Sequence, residues 1–396
     1  MRRAQLTLFT ILYAAEGAPI GFIWWALPTL LRTAGVSIEQ ITGLTALVLL
    51  PWIFKFLWAP AVDAMRTRRW GFRSWIAASQ LLMGLSLVPL LWLDPADAFA
   101  TCRALLLVHA FAAATQDVAI DALAINSVPQ EARGLLNGCM QAGMLTGRSV
   151  FGGGAVLAFA WLGYGWVLGL LIAWILAALA ALFVVRVPEP ALRAGAAGEF
   201  GRTLGSALRG RTIWLGIAFA LISAAGFEAT GQLAGPYLVD RGVPATTIGT
   251  FFGIVVVAAM LAGGLLGGAW ADRLGRPRAV AVFLAGFVGM ILLLAGLDAG
   301  GSRDSTVLLG ALAGMYLFVG LFTAASYALF MDLTDARLGG TQFSTYMAAT
   351  NACESWAVWT GGRIAGAAGY PAAFVVMAAA SLASLPVLRL LRTRQG

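Results

Sequence analysis

A chain of 396 residues with 60% hydrophobic and 11% charged side chains is not a soluble globular domain, where charged residues make up about a quarter. Its mean hydropathy of +0.85 is that of a polytopic membrane protein. The net charge of +8 does not signal nucleic acid, because the arginines form no run interleaved with aromatics and fall in short segments between apolar stretches.

Apolar stretches of about 20 residues read as helices crossing a hydrocarbon core of about 30 Å. They predict spans at 6–31, 40–62, 73–93, 103–126, 134–158, 163–185, 212–238, 246–270, 279–297, 306–331, 342–365 and 370–388. The first follows Arg2 and Arg3 without a small-residue cleavage site, so it reads as a retained helix and not a removed signal peptide. The connection at 186–211 is polar and rich in Gly, Pro and Arg, and it divides the chain into six spans plus six. With both termini in the cytoplasm, 19 of the 26 Lys and Arg residues fall on that side. Only Arg32, Arg103, Arg241 and Arg303 fall on the other, which predicts an N-in, C-in orientation.

A repeat supports the division. "APAVDAMR" closes the second span and "GAWADRLGRPR" the eighth, which sets Asp63 and Asp272 209 residues apart. Gly153 in "FGGG" and Gly362 in "TGGR" have the same offset.

Ionisable residues inside spans cost at least a few kcal/mol each and therefore face a cavity or a partner. Lys55, the only lysine, lies eight residues before Asp63, about 12 Å from that end of its helix. Asp117 lies at about 15 Å in the fourth span, so the two are level, and Asp121 is one turn along the same face. Three readings stand: a fixed ion-pair knot, a switch whose protonation couples proton movement to rocking, or a direct substrate contact. At the repeat offset Asp117 and Asp121 correspond to Ser326 and Phe330, so the fold itself does not demand the acids. Glu16, Glu228 and Glu354 fall near mid-membrane in the first, seventh and eleventh spans, as proton or substrate sites or as neutral hydrogen-bonded acids. Arg148 is a partner for a substrate carboxylate or for an internal glutamate, with Gln116 a further candidate contact. His109, the single histidine, is a packed residue or a pH-sensitive gate. Trp24 and Trp25 suit an interfacial belt or ring stacking, and Trp356 and Trp359 flank Glu354 as candidate stacking surfaces for a sugar or an aromatic ligand.

Other classes lack their chemistry. No G-x-x-x-x-G-K-[ST] occurs, and one histidine with three scattered cysteines (Cys102, Cys139, Cys353) makes neither a metal site nor a disulfide framework. A polytopic enzyme using the Asp117/Asp121 pair and a sensor that has lost transport remain as alternatives.

"DRLGRPR" (272–278) resembles the loop motif that major facilitator transporters carry in each half. "LPWIFKFLWAPAVD" (50–63), "AATQDVAIDALA" (113–124) and "VPQEARGLLNG" (128–138) resemble the branch containing AmpG-type muropeptide permeases, acetyl-CoA transporters and siderophore permeases. The AmpG-type proteins are commonly longer, and the compact twelve-span length looks more like the siderophore permeases. The resemblance implies an all-α major facilitator fold of 12 transmembrane helices in two pseudo-symmetric six-helix bundles, 1–185 and 212–396. It implies a proton-coupled uptake permease of the bacterial inner membrane for a siderophore or a muropeptide, or an exporter of the same fold. It further implies a monomer in the lipid bilayer, with the proton gradient in place of a cofactor and no nucleic-acid partner. In that scheme Asp63, Arg133, Asp272 and Arg273 latch the cytoplasmic side.

Overall fold

The computed structural model describes residues 3–65, 67, 69–127, 133–185, 187, 210–334 and 339–392, without the side chains of residues 60, 63, 64, 125–127, 133–135, 137, 339–342 and 392. Most of the connection expected at 186–211 lies outside the described residues. Every element among the described residues is helical. Inside hydrocarbon each backbone N–H and C=O must be satisfied within its own segment, which long apolar runs achieve only as helices.

The helices in chain order are α1 (Arg3–Thr33), α2 (Ile38–Leu57, continued by Ala59–Ala64), α3 (Phe72–Leu91) and α4 (Phe99–Ser127). Next come α5 (Arg133–Phe151, continued by Gly153–Leu162), α6 (Tyr164–Val184), α7 (Arg211–Asp240) and α8 (Ala245–Leu274). The last four are α9 (Arg276–Ala299), α10 (Ser305–Asp332), α11 (Gly339–Ala368) and α12 (Tyr370–Leu391). Among the described residues eleven helices are long and apolar enough to cross a membrane. The twelfth, α11, has 30 residues but is diluted by Thr345, Asn351, Glu354 and Arg363.

Several helices contain an irregular turn, among them α1 (a π turn at Phe22–Ala26), α3 (a 3₁₀ turn at Val88–Leu91), α2 and α8. α2 starts at a capping box, where Ser37 Oγ accepts from the Gln40 N–H at 3.3 Å and Gln40 Oε1 accepts from the Ser37 N–H at 3.4 Å. It tightens to a 3₁₀ turn over Lys55–Leu57, between Pro51 and Pro60, each of which removes a helix hydrogen bond. α8 contains a π turn at Phe251–Val256.

Packing gathers the chain into two compact units. The first holds Met1–Gly35, Phe54–Glu199 and Ala245–Gly253; the second holds Val36–Ile53, Phe200–Pro244 and Ile254–Gly396. The chain therefore changes unit at the irregular turn of α2 and again at that of α8. These units exchange the first parts of α2 and α8 relative to a simple division at the central connection.

In the first unit α1 and α5 touch backbone to backbone. A Cβ at Gly147 would lie 2.7 Å from the Ala18 amide nitrogen, and one at Gly17 would lie 2.9 Å from Met144 Cα. Small residues permit this approach, which places Glu16 next to the α5 segment that bears Arg148. Beneath it Leu8, Phe9, Leu12, Val62, Phe72, Ile76, Ile120 and Leu123 form an apolar cluster that includes the ring of Tyr13. In the second unit a smaller cluster joins Ala224, Ala225, Ala229, Cys353, Ala357 and Met377, with Trp356 packed on it.

Candidate functional site

The first unit gathers six ionisable side chains from four helices. Lys55, projected from the 3₁₀ turn of α2, donates to Asp117 Oδ2 of α4. One turn further along α4, Asp121 Oδ1 accepts from the phenolic hydroxyl of Tyr13 on α1. Glu16, three residues beyond Tyr13, is 3% exposed, and its Oε2 has no hydrogen-bond partner among the described residues. It lies in electrostatic reach of Asp117, Asp121, Lys55 and Arg148. Among the described residues the half-buried Arg148 of α5 has no hydrogen-bond partner for its Nε. Among them too, the fully buried Gln116 has both amide atoms unpartnered, as has Gln80 on α3. An unsatisfied buried polar atom costs about 1–3 kcal/mol, so such a concentration is expected where a ligand, water or proton is handled.

His109 is buried between α4 and α3, its Nδ1 3.1 Å from the Met83 carbonyl and 3.4 Å from Ser86 Oγ, with Nε2 unpartnered. Trp25 is buried and stacks on Phe252 with ring centroids 5.5 Å apart, which removes it from an interfacial belt.

Glu228 and Glu354 belong to the second unit, both half-buried. Both act electrostatically on the buried Cys353 thiol, and Glu228 also acts on Tyr316, whose hydroxyl donates to the Gly231 carbonyl at 3.4 Å. Thr230 Oγ1 and Gln232 Oε1 are buried without partners on α7. Trp356 donates its indole N–H to the Leu221 carbonyl at 2.8 Å, so its ring is engaged in packing α11 against α7. Trp359 is 50% exposed, with the Arg363 guanidinium 5.1 Å from its ring centroid.

Of the four residues expected to form a gate, the side chains of Asp63 and Arg133 lie outside the described residues. Asp272 is exposed and meets Arg276, one turn on, at 3.9 Å; Arg273 is exposed. The stronger contacts there are made by Arg276, which pairs with Asp332 of α10 and donates to the Ala328 carbonyl at 3.2 Å. A second ion pair lies at the far ends of α7 and α9. The Arg241 guanidinium grips Asp298 through two hydrogen bonds and lies over the rings of Tyr237 and Tyr370. Its hydrogen bond to Asp298 raises the Arg241 pKa above its ordinary value, so the guanidinium stays charged.

Sequence reasoning missed Tyr13, Asp298 and Asp332 as partners. The signal for Tyr13 is present, since it lies one helical turn before Glu16. Among the described residues no group of three His, Cys, Asp or Glu side chains is placed to hold a metal ion.

A model of the Major Facilitator Superfamily matches residues 9–315. The anhydromuropeptide permease of Escherichia coli (strain K12) is 28% identical over 368 residues, covering 87% of this chain and 70% of that protein. The putative transporter AmpG 4 of Rickettsia felis is 30% identical over 186 residues, 46% of this chain and 45% of the relative. Among solved structures, a D-xylose–proton symporter superposes with a TM-score of 0.76 at 14% identity, over 97% of this chain and 96% of that one. A bacterial homologue of the human lysosomal transporter Spinster gives 0.75 at 15% identity, over 99% and 97%. At such identities these structures speak for the fold alone.

Proposed function

Because the chain belongs to the major facilitator superfamily, and is thus a multi-pass membrane transporter, we propose that it is a proton-coupled uptake permease of the bacterial inner membrane for a bulky polar solute. Its similarity along 87% of its length to an anhydromuropeptide permease favours a muropeptide over a siderophore. Proton coupling rests on one observation: Lys55, Asp117, Asp121 and Glu16 share a buried cluster in which a carboxylate oxygen of Glu16 has no partner among the described residues.

In this reading the sequence halves 1–185 and 212–396, joined by 186–211, rock about the substrate, with both termini cytoplasmic and the monomer as the working unit. Protonation offsets the buried negative charge of the cluster and lowers the cost of rearranging it in low dielectric. Arg148 and Gln116 offer buried polar atoms to the solute, while Glu228 and Glu354 supply the acids of the other unit. Asp63, Arg133, Asp272 and Arg273 form the cytoplasmic latch.

The test is uptake by proteoliposomes under an imposed proton gradient, with labelled anhydro-muropeptide and a labelled ferric siderophore offered separately. Muropeptide uptake that collapses on adding a protonophore is expected. Uptake indifferent to the gradient rejects the coupling, siderophore uptake alone replaces the substrate, and gradient-driven loss of preloaded solute reverses the direction.

A further inference from the structure

The acid cluster of the first unit distributes its hydrogen bonds unequally. Asp117 is held by the Lys55 ammonium of α2, and Asp121 accepts the Tyr13 hydroxyl of α1. Of the three acids, only Glu16 has a fully buried carboxylate oxygen without a partner among the described residues. Among the described residues the charges within its reach are Asp117 and Asp121 from α4, Lys55 from α2 and Arg148 from α5. α6, which also packs on α1, has no charged side chain over Tyr164–Val184. Three carboxylates against two cations leave the buried set one negative charge in excess.

We propose that this cluster takes up a single proton, that the proton lands on Glu16 Oε2, and that Tyr13 and Lys55 act as positioning residues that keep Asp121 and Asp117 from taking it. The proton comes from the aqueous phase and forms an O–H bond on Glu16, and no other bond changes. The cluster then carries two carboxylates against two cations and is neutral, the state in which a charge network moves through low dielectric at least cost. Release of the same proton restores the excess charge. Coupling would therefore run at one proton per cycle, through α1 and not through the aspartate pair of α4. Tyr13 is one turn from Glu16 on the same helix, so any motion of α1 moves the proton acceptor and the clasp on Asp121 together.

The part this site plays in transport rests on the proton-coupled reading, but the site itself is testable without any solute. Purified protein in lipid vesicles is titrated with acid while the protonated-carboxyl stretch is followed by infrared difference spectroscopy. Wild-type protein is expected to show one buried carboxyl gaining a proton. Glu16→Gln, nearly isosteric, loses that band, and Asp121→Asn keeps it but moves it to lower pH, because one negative neighbour of Glu16 is gone. Tyr13→Phe frees Asp121 and adds a second titrating carboxyl, a change that a merely structural tyrosine would not produce. Glu16→Asp, which restores the acid, brings the band back and shows that its loss was not misfolding.

A band that survives in Glu16→Gln, or a Tyr13→Phe spectrum identical to wild type, overturns the assignment. The two ideas fail separately. A Glu16-dependent band with gradient-independent muropeptide uptake keeps the proton site and rejects coupling. Gradient-driven uptake with the band intact in Glu16→Gln keeps coupling and rejects this site.

Discussion

Arg241 places its Nε 2.5 Å from Asp298 Oδ1 and its Nη2 2.6 Å from Oδ2, a two-point grip between the end of α7 and the end of α9. The Asp298 side chain is only 2% exposed, and Tyr237 donates to the same carboxylate at 3.2 Å. Tyr370 of α12 shares the arginine's face and donates its hydroxyl to Asp240 at 2.7 Å. Three helices of the second unit are therefore tied at one end by a desolvated ion pair with aromatic walls.

Removing one partner of such a pair leaves an uncompensated buried charge, at a cost of about 3–5 kcal/mol. Arg241→Met is expected to lower the melting temperature of the detergent-solubilised protein strongly. Arg241→Lys, which keeps the charge but not the planar fork, is expected to lower it less. The double variant Arg241→Met with Asp298→Leu should recover most of the loss. Equal melting temperatures for wild type and Arg241→Met would refute the tie.

The crossing of α1 and α5 makes a different kind of prediction. A Cβ on residue 147 would meet the Ala14 carbonyl oxygen and the Ala18 nitrogen, both backbone atoms that cannot move aside. Gly147→Ala should cost about 1–3 kcal/mol through overpacking and should pull Glu16 away from the α5 segment of Arg148. Gly154→Ala, whose new methyl would meet nothing closer than a carbonyl oxygen at 3.5 Å, is the control. Thermal melting of the two variants, read side by side, checks the difference.

Much of this architecture is legible in the sequence because the bilayer imposes a single rule, about 20 apolar residues per crossing. The rise per residue even sets Lys55 and Asp117 level, and they meet in the structure. What the sequence conceals is partner choice. Tyr13 lies one turn from Glu16, which marks it as a polar neighbour of that acid, but not as the donor to Asp121, 108 positions away. Arg241 is assigned to a loop by its charge, yet it is anchored to Asp298 and covered by two rings. Trp356 is the reverse case. Beside Glu354 it reads as a stacking surface, but its N–H is satisfied by Leu221 of the neighbouring helix. Such choices depend on which helix faces meet, and helix order alone does not determine that.

The orientation expected from the basic residues can be checked chemically. The native cysteines give a low background, because Cys102 and Cys353 are buried and only the half-buried Cys139 needs replacement by Ala. In that background Ser302→Cys, in the α9–α10 connection, should react from outside intact cells with a membrane-impermeant maleimide. Thr67→Cys, in the α2–α3 connection, should react only after permeabilisation. The opposite pattern would invert the topology and, with it, the direction assigned to transport.

The remaining question is whether Lys55 and Asp117 are a permanent fastening or a working part, and a double-mutant cycle separates the two. Lys55→Met leaves Asp117 unpaired in a pocket where its side chain is 10% exposed. The expected loss is about 3 kcal/mol, the lower end of the range for buried pairs, because the Lys55 side chain keeps 29% exposure. Asp117→Asn should cost a comparable amount by leaving the ammonium unpaired. Lys55→Met combined with Asp117→Leu replaces the pair by apolar volume and should restore most of the melting temperature. Gradient-driven uptake then decides the role. If the restored double variant still transports at wild-type rate with wild-type proton dependence, the pair is a fastening and Glu16 carries the proton without it. If the protein is stable but uptake no longer follows the gradient, the pair itself is a working part of the coupling. The first outcome is the expected one, because with no aspartate at 117 nothing there competes with Glu16, and Glu16 and Asp121 against Arg148 still leave one negative charge in excess.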